Sequence, residues 1–347
     1  MIQFLTPTVA KRYRGKTCLL RADLNVEPGA EDATNRVDAM IPTIRLLLDY
    51  NVKVVLLSHR GRPARRTPEL SLQPFARIFM QRLKLPVRFV PGTNLSSVHE
   101  RIMSVKERVI VTENLRFFSG EDANDVSFAR RLAALGDFYV NDAFAVCHRK
   151  NASVVAITKF LPSYGGLWMR EEIFHLNSVM KKPVRPFVVV IGGAKVGDKL
   201  RSLRGIVKKA DTVLLGSSVF NEDDIPNISK LSFPDDIKAH ENFAWDIGPW
   251  TRVRYAKMLA RAKSVIWNGP PGYYEKKGFS DGTRTLWSAL LANRGVRGVV
   301  GGGETVASLK QLRITKRLPK NVFISTGGGA MLAYLAGEKL PGLIALK

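Results

Sequence analysis

Cysteine is nearly missing from this chain: Cys18 and Cys147 are the only two. Two cysteines give no disulfide framework and no zinc-ligand spacing, so a small stapled exported scaffold is not expected. Long apolar runs are missing too. No uncharged stretch approaches the roughly 18 residues that a membrane span needs. The apolar start, Met1 to Val9, is short, and the basic Lys11-Arg12-Tyr13-Arg14 follows it rather than precedes it. That is the wrong order for a secretory signal, and the chain is read as cytoplasmic with no membrane partner. Histidine is scarce, at five, with no Ser/His/Asp order to suggest a hydrolase. Neither Gly-x-x-x-x-Gly-Lys-[Ser/Thr] nor Gly-x-Gly-x-x-Gly occurs, so the two commonest nucleotide-loop patterns are excluded. There is no low-complexity tract and no internal repeat beyond an alternation of strands and helices.

Acidic residues are the other shortage: 30 Asp and Glu face 54 Lys and Arg, a formal net charge of +24. Anionic ligands account for a handful of cations, but the excess is spread over Arg60 to Arg66, Lys181-Lys182, Lys199 to Lys209 and Lys310 to Lys320. Dispersed charge of this kind most often reflects a proteome-wide bias or adaptation to internal salt. The other reading is non-specific attraction to nucleic acid or anionic surfaces. With no zinc-finger spacing, RNA-binding aromatic motif or basic tail, no specific nucleic-acid partner is expected.

The 347 residues, 45% of them hydrophobic, suffice for two domains with substantial cores. Short β-branched runs predict strands at Lys53–Leu57, Val109–Thr112, Phe138–Val140, Phe187–Ile191, Thr212–Leu215, Val265–Trp267, Gly298–Val300 and Val322–Ile324. Helical spacing lies between them, as in Phe128, Leu132 and Leu135. Continuous apolar strands alternating with helices predict parallel sheets covered on both faces, which bind ligands at the carboxyl ends of their strands. Leu167, Ile173, Leu176 and Met180 suit one amphipathic helix ended by Lys181-Lys182-Pro183, read as a connector between the halves.

Most charged motifs fall at or just after those strand ends. The front half carries Arg21-Ala22-Asp23-Leu24-Asn25-Val26, Ser58-His59-Arg60-Gly61-Arg62-Pro63, Glu113-Asn114-Leu115-Arg116-Phe117 and His148-Arg149, with Arg36 between the first two. Arg21 and Asp23 alternate with Leu20, Ala22 and Leu24, as strand residues would. Guanidinium groups bind carboxylate and phosphate bidentately and stay charged. Several converging on one spot repel each other unless an anion completes the site. Taken singly, each is more often a solvated surface residue, and His59 and Asp23 are more often structural.

The back half carries Gly192-Gly193-Ala194-Lys195-Val196-Gly197-Asp198-Lys199, Asn268-Gly269-Pro270-Pro271-Gly272-Tyr273-Tyr274-Glu275, Gly301-Gly302-Gly303-Glu304-Thr305 and Ser325-Thr326-Gly327-Gly328-Gly329-Ala330. Glycines let the backbone approach a phosphate, a helix start directs unpaired N–H groups at it, and Lys195 and Lys199 share one helix face. Alone, each of these turns is as readily a plain strand–helix connection.

Together and in this order, the segments closely resemble phosphoglycerate kinase from the first strand to the last helix. The resemblance implies an α/β fold of two doubly wound, Rossmann-like parallel-sheet domains facing a cleft and joined by a hinge helix. Residues 1–165 would bind 3-phosphoglycerate, 166–186 form the hinge, 187–330 bind the nucleotide, and 331–347 return to the first domain. It implies that Asp23 and Asn25 lie near the substrate hydroxyl, and His59, Arg62, Arg116 and Arg149 near its anionic groups. Arg36 would steady the phosphoryl group in transfer. Lys195 and Lys199 would contact that group and the nucleotide phosphates, and the amides of Gly327, Gly328 and Gly329 would stabilise it in flight. Gly193, Asn268, Gly302, Gly303 and Thr305 would complete the nucleotide site, with Glu275 at the ribose. Glu304 would help hold the Mg²⁺ that accompanies ATP or ADP.

Several positions depart from the family pattern. Glu304 stands where an aspartate is usual, one methylene longer and so displacing the carboxylate by roughly 1.5 Å; metal binding is expected to be retained but retuned. The turn after Leu215 reads Gly216-Ser217-Ser218-Val219-Phe220, and from there to Asp246-Ile247-Gly248-Pro249 the chain is much shorter than the family, removing part of the adenine wall. Gly197 replaces a serine, Glu27 a proline, and Asn151 a second histidine. The expected activity is reversible phosphoryl transfer between 1,3-bisphosphoglycerate and ADP by a monomer whose halves close on the substrates. The alternative is a catalytically weak basic binding or scaffold protein. A kinase for a different small carboxylate would need changes among the front-half arginines, and none is seen.

Overall fold

The β-branched runs form strands that the backbone pairs side by side. In the computed structural model, which describes all residues except Met1, Asp224 and Lys316, these are β1 (Thr17–Arg21), β2 (Lys53–Leu57), β3 (Val87–Val90), β4 (Val109–Thr112), β5 (Phe138–Asn141) and β6 (Ser163–Gly165). They continue with β7 (Phe187–Ile191), β8 (Thr212–Leu215), β9 (Leu231–Ser232), β10 (Ile237–His240), β11 (Phe243–Ile247), β12 (Ser264–Asn268), β13 (Arg297–Gly301) and β14 (Val322–Ile324). Among the described residues they make two six-stranded sheets, ordered β3-β4-β2-β1-β5-β6 and β14-β13-β12-β7-β8-β9, and one β10-β11 hairpin. Every pairing in the two large sheets is parallel. That is the expected α/β architecture. β4, β7 and β12 are buried along their whole length, as strands covered on both faces must be.

Two departures from the expected elements stand out. β1 ends at Arg21, so Ala22 to Leu24 lie beyond it, and Arg21 and Asp23 are as buried as their apolar neighbours. The alternation there does not sort residues to a wet and a dry face, because the segment enters a site. Secondly, β3, β6, β9 and the hairpin were not among the expected strands; β6 and β9 are short, β10 is exposed throughout, and β11 is partly buried.

The chain divides into two compact units, Met1–Glu171 with Lys339–Lys347, and Glu172–Glu338. The helix Leu167–Lys181 has the expected bounds and contributes to both; its Met169, Leu176 and Val179 are fully buried. In the first unit, Phe75, Phe79, Ile44 and Leu47 pack on β1, β2 and β4. The tail closes onto the same unit, where the Gly342 amide donates to the Cys147 carbonyl at 2.9 Å. In the second unit, Trp267 on β12 and Trp287 on the helix Asp281–Ala292 pack with ring centroids 4.5 Å apart and planes tilted by 41°. Among the described residues, no helix is long and apolar enough to cross a membrane.

The strand orders fix where ligands can sit. In the first sheet β1 lies between β2 and β5; in the second β7 lies between β8 and β12. Connections leave these strands towards opposite sides, which opens a crevice at their carboxyl ends. Arg21 pairs with Asn141 at one such point and Ile191 with Asn268 at the other. The charged motifs begin at those residues.

Candidate functional site

In the first unit the strand ends gather an arginine cluster around one histidine. The turn after β1 supplies Asp23 and Asn25, and the helix Glu31–Asp49 supplies Arg36, whose guanidinium pairs with the Asp23 carboxylate. The turn after β2 supplies His59, Arg60 and Arg62, and the Gly61 amide donates to Asn25 Oδ1 at 2.9 Å, tying this turn to the first. Arg116, in the short 3₁₀ turn after β4, donates to the Gly61 carbonyl and lies 3.4 Å from Asp122. Arg62, Arg116 and Arg149 line one hollow with Pro63, Ala64 and Asp122. Arg60 is turned elsewhere, to Glu27 and the Glu69 carbonyl.

The electrostatics of this cluster are those of a site awaiting a negative charge. Burial first, then the fields of Arg21, Arg116, Arg149 and Arg36, hold His59 well below the usual imidazole range, so the ring is neutral. Burial also lowers Arg116 and Arg149, and the cations lower one another further, with Asp122 opposing. His59 Nε2 and Arg149 Nη1 are buried and have no hydrogen-bond partner among the described residues. Buried donors left unmade are costly, and an anion carrying several acceptor oxygens satisfies them. The structure thus brings His59, Arg36, Arg62, Arg116 and Arg149 together with Asp23 and Asn25.

In the second unit, glycines let two strand ends cross almost in contact. A Cβ at Gly269 would lie 1.9 Å from the Gly192 carbonyl oxygen, and one at Gly192 would lie 2.1 Å from that of Pro270. The chain then turns through Lys195, a non-glycine residue at φ +58°, into the helix Val196–Ser202. Lys199 donates to the Gly192 carbonyl at 2.6 Å. Burial lowers its pKa, while the Glu304 and Glu222 carboxylates oppose the shift. Glu222 accepts from the Val196 and Gly197 amides at 2.6 and 2.8 Å. Glu304 sits exposed at the start of the helix Gly303–Gln311, its Oε2 and Lys199 Nζ both bordering Gly193. Thr305 and Asn268 face inward: Thr305 Oγ1 accepts from the Gly269 amide at 2.8 Å, and Asn268 donates to the Gly301 carbonyl. These two brace the turn, whereas Gly302, Gly303 and Glu304 lie at its mouth. The helix Gly329–Leu335 packs against Val196–Ser202, bringing the Gly327-Gly328-Gly329 turn to the side of the lysine helix.

A pocket opens from this turn, lined by Gly193, Ala194, Ser217, Ser218, Pro270, Pro271, Gly272, Tyr273, Glu275 and Glu304. Three of its residues stand in motifs quoted from the sequence but were given no role there. Tyr273 is 45% exposed and packs on Trp245, with centroids 5.7 Å apart. Ser217 is buried, yet its hydroxyl has no partner among the described residues. Ser218 donates to the Gly193 carbonyl at 2.7 Å. The aromatic pair Tyr273-Tyr274 was visible in the motif, but Trp245 reaches Tyr273 only through the hairpin. Among the described residues, no group of three or more His, Cys, Asp or Glu could hold a metal ion.

The family model "Phosphoglycerate kinase" matches residues 9–222 and 217–338. The chain belongs to the phosphoglycerate kinase family. Its activity is that of an ATP:3-phosphoglycerate phosphotransferase. It is 34% identical to phosphoglycerate kinase of Dictyoglomus turgidum, and 36% to that of Moorella thermoacetica, with 96% and 95% of this chain and 96% of each relative covered. A cytosolic phosphoglycerate kinase of Triticum aestivum is 34% identical, covering 96% of both. Among solved structures, phosphoglycerate kinases of Pyrococcus horikoshii and Coxiella burnetii superpose with TM-scores of 0.82 and 0.79 at 28% identity, again covering 96% of both chains. The alignment to the D. turgidum enzyme spans 383 positions, more than the whole of this 347-residue chain. The family model matches in two segments that overlap at residues 217–222, beside the shortened stretch of the chain.

Proposed function

We propose that the arginine cluster of the first unit binds 3-phosphoglycerate and that the glycine-lysine turn of the second binds the nucleotide phosphates. The observation that carries this reading is the pair of buried unsatisfied donors, His59 Nε2 and Arg149 Nη1, inside a cluster whose cations depress one another. A small anion with a carboxylate at one end and a phosphate at the other meets both needs. Arg62, Arg116 and Arg149 would hold its anionic groups with His59, Asp23 and Asn25 would orient its hydroxyl, and Arg36 would reach the acyl phosphate.

On the nucleotide side, Lys195 and Lys199 would neutralise the transferred group and the ADP phosphates, helped by the amides of Gly327, Gly328 and Gly329. Phosphoryl transfer asks mainly for positioning and charge neutralisation, so no covalent nucleophile is needed. Glu304 is an exposed carboxylate at the pocket mouth with no cluster of further ligands beside it among the described residues, which suits a Mg²⁺ held largely by nucleotide phosphates and water rather than by a protein cage. Bound there, the ion would offset charge on the phosphates. Glu275 lines the pocket and would meet the ribose. The base would lie against Tyr273 within reach of the Ser217 hydroxyl. We place the chain in the cytoplasm as a monomer acting on small molecules, by analogy with the wheat relative's cytosolic name for the compartment. Nothing observed favours the scaffold alternative.

The test is a pair of variants, Arg36→Ala and Lys195→Ala. Both should lower kcat far more than they raise KM, because their interactions are strongest during transfer. Unchanged kcat in both, with the fold intact by circular dichroism, would refute the assignment.

A further inference from the structure

Behind the arginine hollow lie three buried polar residues to which the reading above gives no role: Arg21, Ser153 and Glu121. They form one connected chain. Both Glu121 carboxylate oxygens accept from Ser153, Oε1 from the hydroxyl at 2.6 Å and Oε2 from the amide at 3.0 Å. With its hydrogen committed to the carboxylate, the Ser153 oxygen accepts from Arg21 Nε at 2.9 Å. Arg21 Nη1 donates to the Ala22 carbonyl, and Nη2 reaches His59 Nδ1 at 3.0 Å.

The last link decides a tautomer. A guanidinium has only donors, so His59 Nδ1 must supply a lone pair, and the hydrogen of the neutral ring must sit on Nε2. That Nε2 is the buried atom with no partner among the described residues. The opposite tautomer would set two donors against each other at Nδ1 and point a lone pair at any incoming anion.

We propose that Glu121 and Ser153 are positioning residues that lock Arg21, so that Arg21 holds His59 as the neutral Nε2–H tautomer, an uncharged donor aimed at the bound phosphoglycerate. The proposal rests on the reading of His59 as a ligand of that substrate. A neutral donor among five guanidinium groups satisfies an oxygen without adding to their repulsion. Burial and the surrounding arginines keep the ring neutral, in accord with this role. Burial raises the Glu121 pKa, while the Arg21 guanidinium and the Ser153 hydrogen bonds oppose that shift and favour the carboxylate that compensates the buried Arg21.

Long-range ¹H–¹⁵N NMR of the whole ¹⁵N-labelled chain at pH 7 tests the tautomer directly, since only five histidines contribute and His59→Gln identifies the signal. The free protein should show an unprotonated Nδ1 and a protonated Nε2; the reverse pattern overturns the proposal. Ser153→Ala removes one buried oxygen, and Glu121→Gln removes the charge. Each should turn His59 into a tautomer mixture and raise KM for 3-phosphoglycerate about fivefold to tenfold, roughly one hydrogen bond's worth. kcat should stay within about twofold and KM for ATP should not change. If His59→Gln raises that KM but both other variants leave tautomer and KM alone, the relay is wrong and the substrate site stands. If His59→Gln leaves KM unchanged, the ligand reading fails and the proposal falls with it.

Discussion

Replacing Gly269 by Ala should damage the second unit more than any other one-carbon addition at the nucleotide turn. The new Cβ would lie 1.9 Å from the Gly192 oxygen, 2.3 Å from its carbonyl carbon and 3.0 Å from the Gly193 nitrogen. All three are backbone atoms, so no side chain can swing aside. The strands cannot part cheaply either, because β7 and β12 are paired up to Ile191 and Asn268, and the Gly192 amide donates to the Asn268 carbonyl at 3.0 Å. Gly269 also sits at φ +88°, which costs an L-residue about 1–2 kcal/mol. Overpacking adds about 1–3 kcal/mol. The sum, roughly 2–5 kcal/mol, is a large share of the 5–15 kcal/mol typical of a folded protein. Trp267 reports locally, since its indole N–H donates to the Gly269 carbonyl at 2.8 Å. Urea unfolding followed by tryptophan fluorescence should show a clear drop in midpoint for Gly269→Ala. Gly303→Ala is the control: its Cβ would meet nothing within 4 Å, so the midpoint should barely move. A Gly269→Ala midpoint matching that control would refute the reasoning.

The base subsite gives a second prediction. Stacking on Tyr273 does not distinguish purines, and the Ser217 hydroxyl can donate or accept, so ADP, GDP and IDP should differ little in kcat/KM at fixed salt. Tyr273→Ala should lower all three together by about tenfold to a hundredfold. An ADP preference of a hundredfold or more, about 2.7 kcal/mol, would reveal a base-reading contact not described above. A third concerns pH. Burial raises Asp142 and Asp246 to about 6, so the native state keeps protons between pH 4 and 6 that the unfolded chain releases. Their contribution is therefore largest below about pH 4 and is lost as pH rises through 6, by up to about 3 kcal/mol each. His59 acts in the opposite sense, its contribution being full above its unfolded value near 6.5 and lost as pH falls. The slope of Tm against pH from 4 to 7 should become more positive in Asp246→Asn, whatever happens to its absolute value; an unchanged slope would contradict the assignment.

How much of this was legible in the sequence varies by residue. Lys53–Leu57, Val109–Thr112, Phe187–Ile191, Thr212–Leu215 and Val322–Ile324 carry the same bounds as β2, β4, β7, β8 and β14, because continuous β-branched runs between turn signals leave little choice. β9 has two residues and β6 three, one a glycine, so pairing rather than propensity makes them strands. In the site, residues that follow strand ends could be found by position, as His59 and Gly192 were. Glu121 and Ser153 could not: they lie 32 apart, hold ordinary polar identities and meet only through tertiary packing. Trp245 likewise becomes part of the base pocket only because the hairpin carries it to Tyr273.

The most direct test of the whole account is a coupled assay of 1,3-bisphosphoglycerate consumption, run with and without ADP over a range of Mg²⁺. Consumption should require ADP, yield one ATP per acyl phosphate lost, and respond to Mg²⁺ with a requirement that Glu304→Asp shifts. Consumption that ignores ADP, or its absence from the folded protein at saturating substrates and metal, would contradict the account.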